Sequence, residues 1–404
     1  MTYEVLQDVR VVEVSLYAFA PSAAAVLADW GADVVKVVPP TLADPMMGTP
    51  IAGLPRKDVG IAFMWELLNR GKRCVGIDLS NDRGRDVLVD LVRRSDVFIT
   101  NLLPGARARY RIDPEDLFPI NESLVYARAT AHGSEGPERD AGGYDHTDFW
   151  ARSGIGHAAS MVADEFVPQP GPALGDLAAG VSMAGAIAAA LYRRATTGRG
   201  AVVDVSLLST GVWMGAPAIV ASQLYGVDTI PRMRHADLPN PLVAAYMTRD
   251  GRQLYLAGIQ TESHFENFCE IVERTDLLTD ARFATGAARL ANREALIAVL
   301  DELFASRDLA DWIEVLHDLT TPWTVIQTAA EAATDRQVVA NGLVTEVEGG
   351  VSNYPLVASP AQFDGVAPAL SPAPGHGEHT DEVLAELGRS WDEIIELKTE
   401  GAVL

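Results

Sequence analysis

"VRVVEVSLYAFAPSAAAVLADWGADVVKVV" occupies residues 9–38 and decides the fold. Residues 9–15, "VRVVEVS", are β-branched and apolar, the pattern of a strand buried on both faces. "PSAAAVLADW" (21–30) reads as a helix with Pro at its start and Gly31 positioned to end it. "DVVKVV" (33–38) is a second buried strand. Strand, helix and strand in this span form a βαβ unit, which predicts a parallel sheet.

The alternation continues. "CVGIDLS" (74–80) is a strand, and "DRGRDVLVDLVRRS" (82–95) is an amphipathic helix with Val87, Leu88, Leu91 and Val92 on one face. "DVFITN", a short helix opened by Asp113 and Pro114, and "SLVYARAT" follow. The pattern predicts an α/β protein with a doubly wound parallel sheet. In such sheets ligands sit beyond the carboxyl ends of the strands. The loops expected there are "LYAFAP", "NLLPGARAR" and "AHGSEGPERDAGGYD".

Beyond residue 225 the character changes. "LPNPLVAAYMTRDGRQLYLAGI" reads as a hairpin turning at Asp250-Gly251. Helical stretches follow near 262–273, 290–304 and 308–317. These features predict a smaller α+β domain over 225–325, with the large domain built from 1–224 and 326–404.

The chain has 404 residues, 48% hydrophobic, with a formal charge of -23. That charge argues against nucleic acid or an anionic membrane as partner. Residues 1–140 carry 16 Lys+Arg against 20 Asp+Glu, so the N-terminal part is the less acidic home for an anionic ligand. Two cysteines, Cys74 and Cys269, form no motif, and the opening residues lack a signal-peptide pattern; a reducing cytoplasm is expected. The apolar run from Leu177 to Leu191 reads as a buried helix too short to span a bilayer.

Asp176, in "PALGDLAAG" (172–180), puts a carboxylate at the mouth of that apolar helix. One reading is a helix cap. The other is a nucleophile: the free N–H groups and dipole of a helix start keep a carboxylate ionised, and an ionised carboxylate can attack an activated acyl carbon. Gly175, Ala178, Ala179 and Gly180 would let a bulky substrate approach. Arg70, Lys72 and Arg73 in "NRGKRC" are candidates for binding phosphate, or a solvated edge. Asn101, Arg107 and Arg109 in "NLLPGARAR" offer a strand end with paired guanidinium donors. His376 and His379 have too few companions for a metal site, so no metal is expected. "SGIGHAAS" is a weak dinucleotide pattern.

Taken together, these segments resemble the family III CoA-transferases, a group that includes formyl-CoA transferase and the acyl-CoA racemases. The likeness runs through "NRGKRCVGIDLSNDRGRDVLVDLVRRSDVFITNLLPG", "LVYARATAHGSEGPERDAGGYD", "ALGDLAAG…TGRGAVVDVSL" and "GEHTDEVLAELG". It implies a Rossmann-like large domain, a small domain between its two chain segments, and an interlocked homodimer. It implies no permanently bound cofactor, with coenzyme A and acyl-CoA as substrates and a small organic acid as acceptor. Asp176 then corresponds to the nucleophile, which passes through an anhydride and an aspartyl-CoA thioester. By the same resemblance Ala18 lies at the thioester end, Leu79 on the adenine side, and Asn101, Leu102 and Leu103 at the nucleotide. Arg109 contacts phosphate, with Lys72 and Arg73 as further phosphate partners, and Tyr144 sits beside the acyl group. Two alternatives remain open: an α-methylacyl-CoA racemase, for which His146 would be recruited because Tyr144 stands where racemases have His, and a non-catalytic acyl-CoA binder. Ala18 replaces a Gln of formyl-CoA transferase, and "YDHTDFWARSG" resembles the branch that acts on larger aryl or branched acids.

Overall fold

The structure, a computed structural model, describes residues 3–48, 60–160, 167–231, 233–348 and 353–404. The chain separates into two compact units. One runs from the N-terminus to Thr229 and resumes at Arg336; the other is centred on Ile230–Asp335. The expected cuts lie at 225 and 325.

The larger unit is built on six parallel strands: β1 (Arg10–Val14), β2 (Asp33–Val38), β3 (Arg73–Gly76), β4 (Val97–Thr100), β5 (Val125–Thr130) and β6 (Ala201–Ser206). Their order across the sheet is β3-β2-β1-β4-β5-β6. The order reverses between β1 and β4, so the loops leaving those strands diverge and open a crevice.

The connecting helices are α1 (Phe19–Asp29), α2 (Phe63–Asn69), α3 (Asp82–Arg93), α4 (Pro104–Tyr110), α5 (Pro114–Leu117), α6 (Ile155–Ser160), α7 (Leu174–Thr197), α8 (Leu207–Met214) and α9 (Ala216–Tyr225). Successive strand residues point to opposite faces. Val11, Val34, Val97, Ile99 and Val125 pack with α1 and α7. Val12, Val35, Val37, Phe98 and Tyr126 pack with α3 and with the C-terminal helices Thr380–Glu386 and Trp391–Thr399. Both faces are covered, which is why the strands read as continuous apolar runs.

A buried ionic cluster interrupts that core. Glu13 on β1 is in register with Lys36 on β2. Its carboxylate meets Lys36 Nζ at 2.9 Å and Lys72 Nζ at 2.7 Å, with all three side chains fully buried. Burial alone would raise the Glu13 pKa, but the two ammonium groups override it and hold it at about 2.

Helix α7 has 24 residues and is long and apolar enough to cross a membrane, longer than the sequence suggested. Its buried residues, among them Ala179, Met183 and Ile187, belong to the core shared with α1. Gly180 has a packing reason rather than the expected substrate-access one. A Cβ there would lie 1.9 Å from Ser22 Oγ of α1.

The smaller unit carries the antiparallel strands β7 (Val243–Met247), β8 (Gln253–Ala257) and β9 (Trp323–Val325), in the order β7-β8-β9. Phe265, Phe268, Leu300, Phe304 and Trp312 from its helices complete its core. The hairpin and the helices are where the sequence put them. Back in the larger unit, β10 (Val344–Val347) and β11 (Tyr354–Val357) pair antiparallel. Thr380 is the first residue of the helix Thr380–Glu386. Its Oγ1 accepts the Gly76 N–H and donates to the Gly377 carbonyl, tying the C-terminal region to the edge strand β3.

Candidate active site

A cavity of about 370 Å³ opens where the β1 and β4 loops part. Its wall draws on every loop that leaves the carboxyl end of β1, β4, β5 or β6: Tyr17 and Phe19; Asn101 to Pro104; Arg128 to Ala131; and Leu207. Segment 139–145 and Asp176 close it.

Asp176 lies in the first turn of α7, and the helix begins after Ala173, whose φ of 61° is left-handed. Asp176 does not cap the helix: the residue at that position is Ala173, with no side-chain bond. The capping role falls to Asp145, whose Oδ1 accepts the Gly175 N–H at 3.0 Å. Its Oδ2 accepts from Gln169 Nε2 at 2.6 Å. Gly175 must be glycine for this contact, since a Cβ would lie 2.4 Å from Asp145 Oδ1 and 2.1 Å from Phe149 Cγ.

The consequence for Asp176 corrects the expectation that it stays firmly ionised. Burial, with the neighbouring Asp145 charge second, pushes its pKa up to about 7. Among the described residues none donates a side-chain hydrogen bond to its carboxylate, so the helix-start environment does not offset burial. Asp145 is also raised by burial, against the lowering effect of Gln169 and the amides of Gly175 and Asp176. A carboxylate that is half ionised near neutral pH, unpaired and open to a cavity is a more basic nucleophile than an ordinary aspartate.

The other expected residues divide into three groups. Asn101, Leu102, Leu103 and Tyr144 line the cavity. Arg109 is exposed on α4, with its guanidinium 4.7 Å from the Tyr110 ring and no carboxylate partner among the described residues. Ala18, Leu79, Lys72 and Arg73 do not line the cavity. Ala18 is buried with Met64, Leu68 and Ala173, leaving its neighbours Tyr17 and Phe19 to face the space. Leu79 packs against the lower sheet core. Lys72 requires a correction: its fully buried ammonium is spent on Glu13, the Pro21 carbonyl and Asn69 Oδ1, so no donor is left for a phosphate. Arg73 is likewise held by Asp33 and Glu386 at the sheet edge, and Arg70 by Asp29.

Arg107, whose spacing matched that of Arg109, is buried and bound to Asp113 and the Leu102 carbonyl. His146 is exposed and outside the cavity wall. Asp145 and Tyr17 were missed. The only local signal for Asp145 was a carboxylate after Gly-Gly-Tyr, and its partner lies 30 residues away in the chain. The described residues hold no cluster of His, Cys, Asp and Glu suited to a metal.

A parallel sheet ordered 3-2-1-4-5-6, with a cavity at its switch point and a carboxylate at the mouth of a crossover helix, is the arrangement in which doubly wound folds bind ligands. The comparisons give the family. The profile of CoA-transferase family III matches residues 6–380, and the chain belongs to that family of enzymes. It is 30% identical to the (R)-2-hydroxy-4-methylpentanoate CoA-transferase of Clostridioides difficile, over 97% of this chain and 98% of that one. It is 27% identical to the cinnamoyl-CoA:phenyllactate CoA-transferase of Clostridium sporogenes, over 98% and 96%. The crystal structure of a CAIB/BAIF family protein from Brucella suis superposes with a TM-score of 0.81 at 29% identity, covering 96% of this chain and all of the other.

Proposed function

We propose that the protein exchanges coenzyme A between an acyl-CoA and a free carboxylic acid, with Asp176 as the covalent nucleophile. The observation that carries this is the Asp176 carboxylate itself, at the wall of the switch-point cavity and without a side-chain donor among the described residues. In the first step a carboxylate oxygen attacks the thioester carbonyl, the C–S bond breaks, and CoA leaves as thiolate. The thiolate then attacks the aspartyl carbonyl of the mixed anhydride and releases the donor acid, leaving an aspartyl-CoA thioester. The acceptor carboxylate displaces CoA to form a second anhydride. Attack of the thiolate on its acyl carbon releases the new thioester and regenerates Asp176. Bond making and breaking balance without a cofactor or a metal.

On this reading Leu102 and Leu103, which line the cavity, flank the CoA chain, Asn101 shapes the loop beside it, and the exposed Arg109, whose described side-chain partner is the Tyr110 hydroxyl, takes a phosphate. Aryl or branched acids are the proposed acyl groups, in keeping with the substrates named for the two transferases above. Proton abstraction at the α-carbon is the weaker reading, since Tyr144 lines the cavity where the resemblance puts racemase His, and His146 is not on the cavity wall.

We also infer a homodimer in a reducing, cytoplasmic setting. Trp213, Leu224 and Tyr225 on α8 and α9 are 76%, 78% and 80% exposed, and no residue of α9 is buried. Apolar surface of this extent asks for a covering partner, which the family resemblance assigns to a second copy. Both cysteines are free and buried.

The test is Asp176→Ala. Transfer between a matched acyl-CoA and acid should vanish while calorimetry still detects CoA binding. Retained transfer would refute the nucleophile.

A further inference from the structure

The loop between β1 and α1 is fixed from two sides. The buried Lys36 Nζ donates to the Ser15 carbonyl at 3.0 Å. Asn101 takes both backbone groups of the next residue: the Leu16 N–H donates to Oδ1 at 3.0 Å, and Nδ2 donates to the Leu16 carbonyl at 2.6 Å. The residue that follows, Tyr17, has a φ of 65°. A side chain with a Cβ adopts that left-handed conformation only when its surroundings impose it. Burial of the ring does not impose it, because Tyr17 remains 41% exposed. The clamp on residues 15 and 16 fixes the backbone immediately before Tyr17.

The clamped loop aims the Tyr17 ring at Tyr144. The two rings meet edge to face, with centroids 5.8 Å apart and an interplanar angle of 84°. Both line the cavity that holds Asp176. Tyr144 is 61% exposed, so the pair keeps much of its aromatic surface for a ligand. Two of the three arginines that line the same wall are engaged, and the third has only a loose, exposed contact. Arg107 faces Asp113 at 2.6 Å, Arg128 faces Asp204 at 2.6 Å, and Arg139 faces Asp140 at 3.6 Å. A second carboxylate on an acyl group therefore meets, among the described lining residues, two arginines already bonded to carboxylates and only the solvated Arg139 beside them.

We propose that Tyr17 is a specificity-determining residue: with Tyr144 it forms an aromatic wall that selects an aryl or branched apolar acyl group over short acyl groups and dicarboxylates. The proposal rests on the reading of Asp176 as nucleophile.

The experiment compares kcat/KM for phenylacetyl-CoA, isovaleryl-CoA, succinyl-CoA and acetyl-CoA in the wild type, Tyr17→Phe and Tyr17→Gly. Glycine accepts the positive φ, so the loop keeps its path. In parallel, hydroxylamine trapping reads acylation of Asp176 in each protein. Tyr17→Phe should keep the wild-type preference. Tyr17→Gly should lower the phenylacetyl-to-acetyl ratio by about tenfold, the upper range for one aromatic contact. Tyr17→Asn, which also tolerates the left-handed region, reads the same ratio if the glycine variant folds poorly. An unchanged ratio in a variant that still acylates Asp176 would overturn the role of Tyr17 and leave the nucleophile standing. A wild type that prefers succinyl-CoA would overturn the substrate class. No adduct on the wild type with any donor would remove the underlying reading and this proposal with it.

Discussion

Asp145 holds the turn that carries Asp176 and repels the carboxylate it positions. Its Oδ1 accepts the Gly175 N–H at 3.0 Å, while its charge adds to the burial that raises Asp176 to about 7. Asp176 must be ionised to attack. The kcat/KM profile, which reports the free enzyme, should therefore rise through about pH 7 and flatten above it.

Asp145→Asn separates the two effects. An Asn oxygen still accepts the Gly175 N–H, while the new amide meets the Gln169 Nε2 donor until the Gln169 amide turns over and presents its Oε1, which has no partner among the described residues. The negative charge is gone. The lower limb of the pH profile should move below 7 but stay above the ordinary 3.8, because burial is the larger cause of the shift. A limb that does not move would show that Asp145 acts only through geometry.

Asp176→Asn should stabilise the fold in a pH-dependent way. The folded-state pKa of about 7 lies above the ordinary 3.8, so the wild-type fold binds more protons than the unfolded chain between these values. Wild-type stability contributed by this group therefore falls as pH rises from about 4 to about 7, and is level beyond. The amide has no such dependence. Its Tm advantage over the wild type, followed by differential scanning calorimetry, should widen across that window.

Glu13 is the anion shared by two buried ammonium groups, with Asp44 a more distant second partner of Lys36 at 3.5 Å. Glu13→Gln leaves Lys36 and Lys72 facing each other in the core and should cost about 3–5 kcal/mol in a urea titration. The pKa of Glu13 is depressed to about 2, below its ordinary 4.5. Its stabilisation is fully present above 4.5 and is lost as pH falls through about 2. Lys72, pushed down to about 7 first by its burial, should lose its proton more readily than a surface lysine.

Arg109→Ala should weaken CoA binding by about tenfold, the loss of one charge-assisted hydrogen bond, and change kcat little. Isothermal titration with CoA and with dephospho-CoA reads this directly. Equal affinities for wild type and variant would remove Arg109 from the binding surface.

Local sequence carried the architecture well where one period dominated. Strands β1, β2 and β4 are buried on both faces, so unbroken runs of Val and Ile marked them, and the Asp250-Gly251 turn marked the hairpin. Asp176 was legible because a charge ahead of an apolar helix is conspicuous. Its ionisation was misread because burial and Asp145 are tertiary facts. Lys72 shows the same limit in reverse. A basic residue in "NRGKRC" looks solvated or anion-binding, yet the register of β1 with β2 puts a carboxylate inside the core and draws the lysine after it. Tyr17 carried no signal, since its role depends on a clamp by Asn101 from the loop after β4, more than 80 residues further along the chain. Gly180 looked like room for substrate and serves the approach of α1.

The most direct test of the central claim is to trap the acyl-enzyme. The protein is incubated with an acyl-CoA panel, treated with hydroxylamine, digested and mapped by mass spectrometry. A hydroxamate on Asp176 that depends on the acyl donor is the predicted result. Measurable CoA binding and turnover with no modification at Asp176, or with the label on another residue, would contradict the account.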